Sequence, residues 1–198
     1  MLYERLGNYN IILGSGSPRR KYLLEEMGLN FRVMVNSSLE ENWPDGLSKE
    51  EIPVYLAELK GKHLMATVPE TTLLITADTI VWMGEEVINK PKDPEDAFRM
   101  LRKLSGNMHE VLTGVSLRSG DRKHSFHASS LVWFAELSDD EISFYVDHFN
   151  PMDKAGAYGI QDWIGYIGVE KIEGSYFNVM GLPLQRMYHE LKKLLGDE

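Results

Sequence analysis

The feature that most constrains the fold is an apolar, β-branched segment over residues 73–82 that contains one acidic residue, Asp78. A segment of this composition is typical of a buried central strand. An ionised carboxylate in such a strand is unfavourable unless it is hydrogen-bonded, paired with a cation or bound to a metal ion. Because the apolar pattern resumes directly after it, Asp78 is predicted to be a functional residue at the carboxyl end of a strand. In the alternative interpretation the strand ends near Thr76 and Asp78 begins a turn.

Strand and helix patterns alternate along the rest of the chain, which predicts an α/β fold. The patterns predict strands at 10–13, 31–35, 73–82, 109–118 and 123–137, and helices that begin near Ser17, Ser48, Asp93, Ser138 and Pro183. The glycine-rich segment 153–168 is predicted to be a structured loop flanked by short strands.

Composition and charge exclude several classes of function. The 198 residues contain no cysteine, which excludes disulfides, thiolate metal sites and cysteine nucleophiles. A net charge of −9 opposes binding to a nucleic-acid polymer, because such binding requires a basic stripe. The N-terminus has no apolar core of signal-peptide length, and no apolar segment is long enough to span a membrane. We therefore expect a cytoplasmic protein that binds neither nucleic acid nor membrane.

A candidate phosphate-binding site lies where the first predicted strand leads into a helix. Ser15 begins the motif SGSPRR, in which Ser17 is predicted to be the N-cap and Pro18 the first helical residue. The unpaired N–H groups of a helix start favour an anion, and Arg19 and Arg20 add charged donors suited to phosphate. The alternative is an N-capped helix whose arginines face solvent.

Two further segments contain residues that suit a nucleotide. Lys90 lies in the motif KPKD just before a predicted helix, and its ammonium could reach a phosphate. The segment 153–161 has small residues and an aromatic that allow a loop around a flat ligand. Gln161, at its end, offers both a donor and an acceptor to a pyrimidine edge. The alternatives are an exposed loop before a helix cap and a glycine-rich hairpin without a ligand.

The adjacent acids Glu40 and Glu41 could bind a hard divalent cation, which prefers carboxylate oxygens. The alternative is a solvated acidic loop.

Taken together, these segments resemble the Maf family of nucleotide pyrophosphatases. The resemblance is carried, in chain order, by SGSPRR at 15–20, ADTIV at 77–81, KP at 90–91, DKAGAYGIQ at 153–161 and the stretch 174–183. It implies one Maf-like domain over residues 1–198. It also implies an elongated mixed sheet flanked by helices, with two lobes around a central cleft, similar to inosine-triphosphate pyrophosphatases. The implied activity is metal-assisted cleavage of nucleoside triphosphates between the α- and β-phosphates, with Mg²⁺ or Mn²⁺.

The resemblance also implies roles for individual residues. Asp78 matches the proton acceptor and a metal-site carboxylate, and Glu40 or Glu41 matches a second acidic position of the metal site. Groups around the triphosphate are matched by Ser15, Arg19, Arg20, Lys60 and Lys90. Lys62 lies close enough to Lys60 in sequence to be an alternative match. Gly14 stands where the family often has alanine, a difference that we expect to leave the chemistry unchanged.

Substrate preference is implied by three positions. The subgroup that prefers dTTP and UTP is similar to this chain at Arg19, Thr79 and Gln161. A second subgroup, which prefers 7-methyl-GTP, tends to have a bulky aromatic at the Arg19 position and an acid at the Gln161 position. The resemblance therefore implies a small nucleotide substrate of the dTTP/UTP type, modified pyrimidine nucleotides included. It is compatible with a homodimer. The alternatives are a pyrophosphatase for another base, such as 7-methyl-GTP, a nucleotide-binding regulatory protein without hydrolysis, and an interaction module.

Overall fold

The computed structural model describes residues 2–36 and 39–196, which form a mixed α/β fold. The helices are α1 (Leu2–Leu6), α2 (Pro18–Glu26), α3 (Glu51–Met65), α4 (Pro94–Leu104), α5 (Asp139–Phe149), α6 (Trp163–Gly168), α7 (Tyr176–Met180) and α8 (Leu184–Leu195). The strands are β1 (Asn10–Leu13), β2 (Arg32–Val33), β3 (Thr72–Met83), β4 (Glu86–Ile88), β5 (Met108–Ser119), β6 (Arg122–Phe134) and β7 (Val169–Glu173). Two short 3₁₀ turns, Pro151–Asp153 and Ala155–Ala157, follow α5.

The described strands form one mixed sheet in the order β2-β1-β3-β5-β6-β7, with β4 paired to β3. Strand β1 is parallel to both β2 and β3, whereas β4 is antiparallel to β3 and β7 is antiparallel to β6. The first half of β3 is fully buried, in agreement with the apolar segment that predicts a central strand. The predicted α/β class is therefore confirmed, with helices flanking a mixed sheet.

The described residues divide into two compact units. The first unit comprises those within Met1–Asp78, Thr113–Ala128 and Gly181–Glu198, and the second comprises Thr79–Leu112 and Ser129–Met180. Strands β3, β5 and β6 each contribute residues to both units.

Local sequence signals predicted most helix starts correctly. The Ser17 side chain accepts a hydrogen bond from the backbone N–H of Arg20, and Asp93 caps α4 in the same way. Ser138 and Glu141 form the complete capping box that their spacing predicts for α5. None of the described helices combines the length and the apolar character that crossing a membrane would need.

Two local predictions differ from the structure, and short helices were missed. The strand predicted over 31–35 is reduced to Arg32–Val33, because only these two residues pair with the short strand β1, and both are exposed. Helix α1 was not predicted. The segment 153–168 contains 3₁₀ turns and α6 instead of a loop; the short strand β7 follows it as predicted, but helix α5 and a 3₁₀ turn precede it. The glycines of α6 disfavour a helix, but a Cβ at Gly165 would lie 2.0 Å from the carbonyl oxygen of Ile160. Close packing therefore overrides propensity there.

The second unit contains a histidine buried among aromatic rings. His109 is 1% exposed and contacts Phe134 and Tyr158 edge to face, at ring-centroid distances of 5.2 and 5.3 Å. Its Nε2 lies 2.7 Å from the hydroxyl of Tyr158. Burial lowers the pKa of His109 from 6.5 to about 4. The imidazole is therefore neutral in the folded protein near neutral pH.

This burial predicts that stability falls on acidification. Between the folded pKa near 4 and the unfolded pKa near 6.5, the unfolded chain binds more protons at His109 than the folded chain does. The free energy of unfolding should therefore fall by about 2 kcal/mol between about pH 7 and about pH 5 because of this residue. Urea unfolding of the wild type and of His109→Gln at both pH values measures the difference. An equal pH dependence in the two proteins would contradict the prediction.

Candidate functional site

The first unit brings Asp78 together with a lysine and a second acid. Lys60 Nζ, on α3, lies 2.5 Å from Asp78 Oδ1 and 2.8 Å from Glu41 Oε2. The side chains of Asp78 and Lys60 are only 12% and 15% exposed, whereas that of Glu41 is 46% exposed. The ammonium therefore balances the charge of Asp78 within its apolar strand, which is one of the arrangements that a buried carboxylate requires.

The position of Asp78 within its strand differs from both sequence interpretations. Strand β3 continues to Met83, so Asp78 neither begins a turn nor lies at the strand's carboxyl end. The neighbouring parallel strand β1 is shorter, however, and its last residue, Leu13, pairs with Ile75. Asp78 therefore lies on the part of β3 that extends beyond its parallel neighbour, which is the edge where α/β proteins bind ligands.

The predicted phosphate motif contributes a buried arginine. Arg20 is 8% exposed, and it donates through Nη1 to Ser15 Oγ at 3.0 Å and through Nε to the carbonyl oxygen of Gly181 at 2.8 Å. Burial lowers the pKa of the Arg20 guanidinium. The negative charges of Asp78 and Glu41 raise this pKa, and the positive charge of Arg19 lowers it. The guanidinium nevertheless keeps its charge, because arginine is not deprotonated in proteins. Arg20 therefore belongs to the same electrostatic cluster as Asp78.

Two pairs of alternatives from the sequence are separated by position. Lys62 is exposed on α3, whereas Lys60 forms the ion pairs described above. Glu40 is exposed and accepts a hydrogen bond from Asn42 Nδ2 at 3.4 Å, whereas Glu41 contacts Lys60. The geometry thus selects Lys60 and Glu41 as members of the cluster.

Arg19 is the remaining predicted residue of the SGSPRR motif. It is half-buried and follows Pro18 in the first turn of α2, and its positive charge lowers the pKa of Arg20.

Helix α3 is held against the sheet by contacts close to Lys60. Thr76 Oγ1, on the same face of β3 as Asp78, donates to the carbonyl oxygen of Ala57 at 2.7 Å. Arg118 Nη2 donates to the carbonyl oxygen of Glu58 at 3.1 Å. Ala57 and Lys60 are three positions apart, so they lie on the same face of the helix. These bonds therefore position the ammonium of Lys60 opposite Asp78.

Gly14 packs against this anchor. A Cβ at Gly14 would lie 2.5 Å from Thr76 Cγ2 and 2.7 Å from Leu64 Cδ1, both shorter than any normal contact. The alanine that the family often has at this position would therefore require these side chains to move.

We expect Gly14→Ala to lower the free energy of unfolding by about 1–3 kcal/mol, because overpacking a filled core displaces its neighbours. Thr76→Ser removes the obstructing methyl group and keeps the hydroxyl, so the double variant should recover part of this loss. Urea unfolding of the wild type, both single variants and the double variant measures the coupling. Strictly additive effects would show that Thr76 does not limit the space at Gly14.

The second unit holds Gln161 in a network of polar groups. Gln161 Nε2 donates to Asp162 Oδ1 at 2.9 Å, and Asp162 Oδ2 accepts from the hydroxyl of Tyr145 at 2.9 Å. The same hydroxyl accepts from the backbone N–H of Gly159 at 3.1 Å. Within the described residues, Gln161 Oε1 is buried and has no hydrogen-bond partner. A buried carbonyl oxygen without a partner is unusual in a folded protein and suggests that a ligand supplies the donor.

A glycine makes this network possible. A Cβ at Gly159 would lie 2.4 Å from Asp162 Oδ2 and 2.6 Å from Gln161 Nε2. The sequence singles out Gln161 but gives no direct sign of the role of Asp162 or of the hydroxyl of Tyr145, a residue of α5. The hydroxyl of a tyrosine on an apolar helix face was the available signal, because a buried hydroxyl requires a partner.

The remaining predicted residues also belong to the second unit. Thr79 follows Asp78 in β3 and is half-buried. Lys90 is exposed in the segment between β4 and α4. Their roles toward a substrate stay predictions.

Comparison with known proteins identifies the family. Residues 10–194 match the family described as Maf-like protein. The dTTP/UTP pyrophosphatase of Phocaeicola vulgatus is 53% identical over 98% of this chain and 100% of its own length. The dTTP/UTP pyrophosphatase of Parabacteroides distasonis is 49% identical over 96% and 99%. A HAM1 protein from Coxiella burnetii shares the fold, with 12% identity, a TM-score of 0.50, and coverage of 93% of this chain and 99% of that chain. This chain belongs to the Maf family.

Proposed function

We propose that this chain hydrolyses dTTP and UTP to the nucleoside monophosphate and pyrophosphate. Family membership and relatives that are about half identical over nearly the full length support a nucleoside triphosphate pyrophosphatase. The observation that carries the assignment is the largely buried carboxylate of Asp78, held 2.5 Å from Lys60 Nζ and close to Arg20. In this proposal both units belong to a single Maf-like domain over residues 1–198.

The cationic side chains neutralise the triphosphate. Phosphoryl transfer depends mainly on positioning and on stabilising negative charge. Arg19 and Arg20 at the start of α2 hold phosphate oxygens together with the hydroxyl of Ser15, and Lys60 and Lys90 contribute point charges. Because Arg20 and Ser15 already bond to each other at 3.0 Å, this part of the site is organised before substrate binds.

Asp78 acts as the proton acceptor for water. One of its oxygens, Oδ1, contacts Lys60 Nζ, and the other can accept the proton of the water that attacks the α-phosphorus. The apolar strand on either side of Asp78 limits competing solvent, which strengthens electrostatic interactions at the carboxylate.

The acidic residues suit a divalent cation. No group of three or more acidic, histidine or cysteine side chains converges among the described residues. Mg²⁺, however, is commonly bound through one or two carboxylates together with substrate phosphates. Asp78 and Glu41, which share the ammonium of Lys60, supply such a pair, and Glu40 lies next to Glu41 in sequence. A bound Mg²⁺ or Mn²⁺ would neutralise negative charge on the leaving pyrophosphate.

Gln161 reads the base. Uracil and thymine have a single donor, N3–H, on their pairing edge, and the buried Oε1 of Gln161 is an acceptor without a protein partner. Thr79 and Arg19 complete the set of residues that the family resemblance assigns to the dTTP/UTP type. The cytoplasmic location and a homodimer stay predictions of the sequence and the family resemblance.

A panel of nucleoside triphosphates, assayed for pyrophosphate release with Mg²⁺ and with Mn²⁺, tests the function. We expect dTTP and UTP to be cleaved faster than 7-methyl-GTP, and EDTA to abolish the reaction. A rise in melting temperature with dTTP but no pyrophosphate would instead identify a nucleotide-binding regulatory protein. Preferred cleavage of 7-methyl-GTP would show that the base assignment is wrong.

A further inference from the structure

We propose that Asp162 is a positioning residue that locks the side-chain amide of Gln161 in one orientation. In this orientation Gln161 presents only its carbonyl oxygen to the base, and the enzyme therefore selects uracil and thymine over cytosine. The inference rests on the proposed function, because it assumes that Gln161 contacts the nucleobase. It concerns a residue outside the motif that carries the family resemblance.

The lock follows from the chemistry of the two side chains. A primary amide can rotate by half a turn and exchange its donor and acceptor ends, whereas an ionised carboxylate only accepts hydrogen bonds. Asp162 Oδ1 lies 2.9 Å from the Gln161 amide nitrogen. A flipped amide would place two oxygens, each carrying negative charge, at that distance. The nitrogen must therefore face Asp162, and Oε1 is the end that is left for a ligand.

Asp162 itself cannot turn away. The hydroxyl of Tyr145 donates to Asp162 Oδ2 at 2.9 Å, and Lys154 Nζ lies 3.7 Å from the same oxygen. Tyr145 is fully buried and Lys154 is 9% exposed, so neither partner can easily be replaced by water. The backbone of Gly159 packs against the carboxylate of Asp162, because a Cβ added at Gly159 would lie only 2.4 Å from Oδ2. The carboxylate is thus held on two sides while it orients the amide.

A locked acceptor distinguishes the pyrimidines. Uracil and thymine offer a proton at N3, whereas N3 of cytosine is itself an acceptor and repels the oxygen of Gln161. An amide free to rotate could serve both bases by presenting either its oxygen or its nitrogen. A base that leaves a buried polar atom without a hydrogen bond, or that places two acceptors against each other, binds much more weakly than one that pairs correctly.

Asp162→Asn tests the lock, because an asparagine side chain can both donate and accept and so permits either orientation of Gln161. We expect the ratio of kcat/KM for UTP to that for CTP to fall by about 10-fold or more, with a lower KM for CTP. A residue with only a structural role would reduce both activities equally and leave the ratio unchanged.

Asp153→Asn is the matched control. Asp153 is the other carboxylate that pairs with Lys154, at 2.7 Å. The same charge is removed beside the same lysine, but the amide stays locked, so the UTP to CTP ratio should equal that of the wild type. If Asp162→Asn does not fold, Tyr145→Phe, which removes a donor to Asp162, should change the ratio in the same direction.

The outcomes separate the inference from the proposed function. A wild-type UTP to CTP ratio near one, or an unchanged ratio in a folded Asp162→Asn enzyme that still cleaves UTP, overturns the lock and leaves the pyrophosphatase function intact. If the wild type cleaves neither nucleotide, the proposed function fails. Calorimetric binding of UTP and CTP to both proteins then provides the same comparison, and an unchanged affinity ratio again overturns the lock.

Discussion

Asp78→Asn is expected to lower kcat for dTTP hydrolysis by about 10²- to 10⁴-fold, the contribution that a positioned general base typically makes. The substitution keeps the shape of the side chain but removes the proton acceptor. The affinity for dTTP in the absence of a divalent cation should be retained or increased, because one negative charge is removed beside the cations proposed to bind the phosphates. The measurements are pyrophosphate release at saturating dTTP and calorimetric binding of dTTP to the variant.

Asp121→Asn provides the control for Asp78. Asp121 lies in the exposed turn between β5 and β6, within the same unit, and undergoes the same chemical change. The kcat of Asp121→Asn for dTTP hydrolysis should match that of the wild type. A kcat for Asp78→Asn close to that of this control would remove the role of proton acceptor, and loss of dTTP binding without loss of folding would assign Asp78 to binding instead.

Lys60→Met should lower kcat/KM by about 10²- to 10³-fold, which is the effect of removing one preorganised group that stabilises developing charge. The substitution keeps the aliphatic length of the side chain but removes the ammonium that lies within 2.8 Å of both Asp78 and Glu41. The two carboxylates then repel each other and the phosphates of the substrate. Steady-state kinetics with dTTP, together with a thermal melt to establish folding at the assay temperature, measure the effect.

Lys62→Met is the matched control for this lysine. The two residues lie on the same helix, but the side chain of Lys62 is exposed. Its kcat/KM should differ little from that of the wild type, since an isolated exposed charge contributes weakly. Equal losses in the two variants would indicate a general effect of charge on nucleotide attraction, and the specific role of Lys60 would then be wrong.

The chemistry of the candidate site was largely predictable from local sequence. An acid within an apolar strand requires a partner wherever the strand lies, so Asp78 stood out before its partner was known. The start of α2 was equally predictable, because Ser17 and Pro18 act on the backbone groups of their own turn. Such signals depend only on residues that are adjacent in the chain, so they do not require knowledge of the tertiary structure.

The choice between similar residues close in sequence was less accessible. Lys60 and Lys62 have the same chemistry, but they are two positions apart on α3 and therefore face different directions. The buried residues Ala57 and Leu64 mark the side of the helix on which Lys60 lies, so helical periodicity contained a usable signal. Nothing comparable separates Glu40 from Glu41, because that segment has no regular structure to set a periodicity.

By itself, the sequence determined the α/β class, the central strand, most helix starts and the residue types of the candidate phosphate site. Only the tertiary structure decided that Lys60 pairs with Asp78 and that the amide of Gln161 donates to Asp162. It also decided that Gly14 fits against Thr76. The physical reason is that each of these contacts depends on distances between separate elements or on the path of an irregular loop. Strand and helix periodicities describe only the element in which they occur.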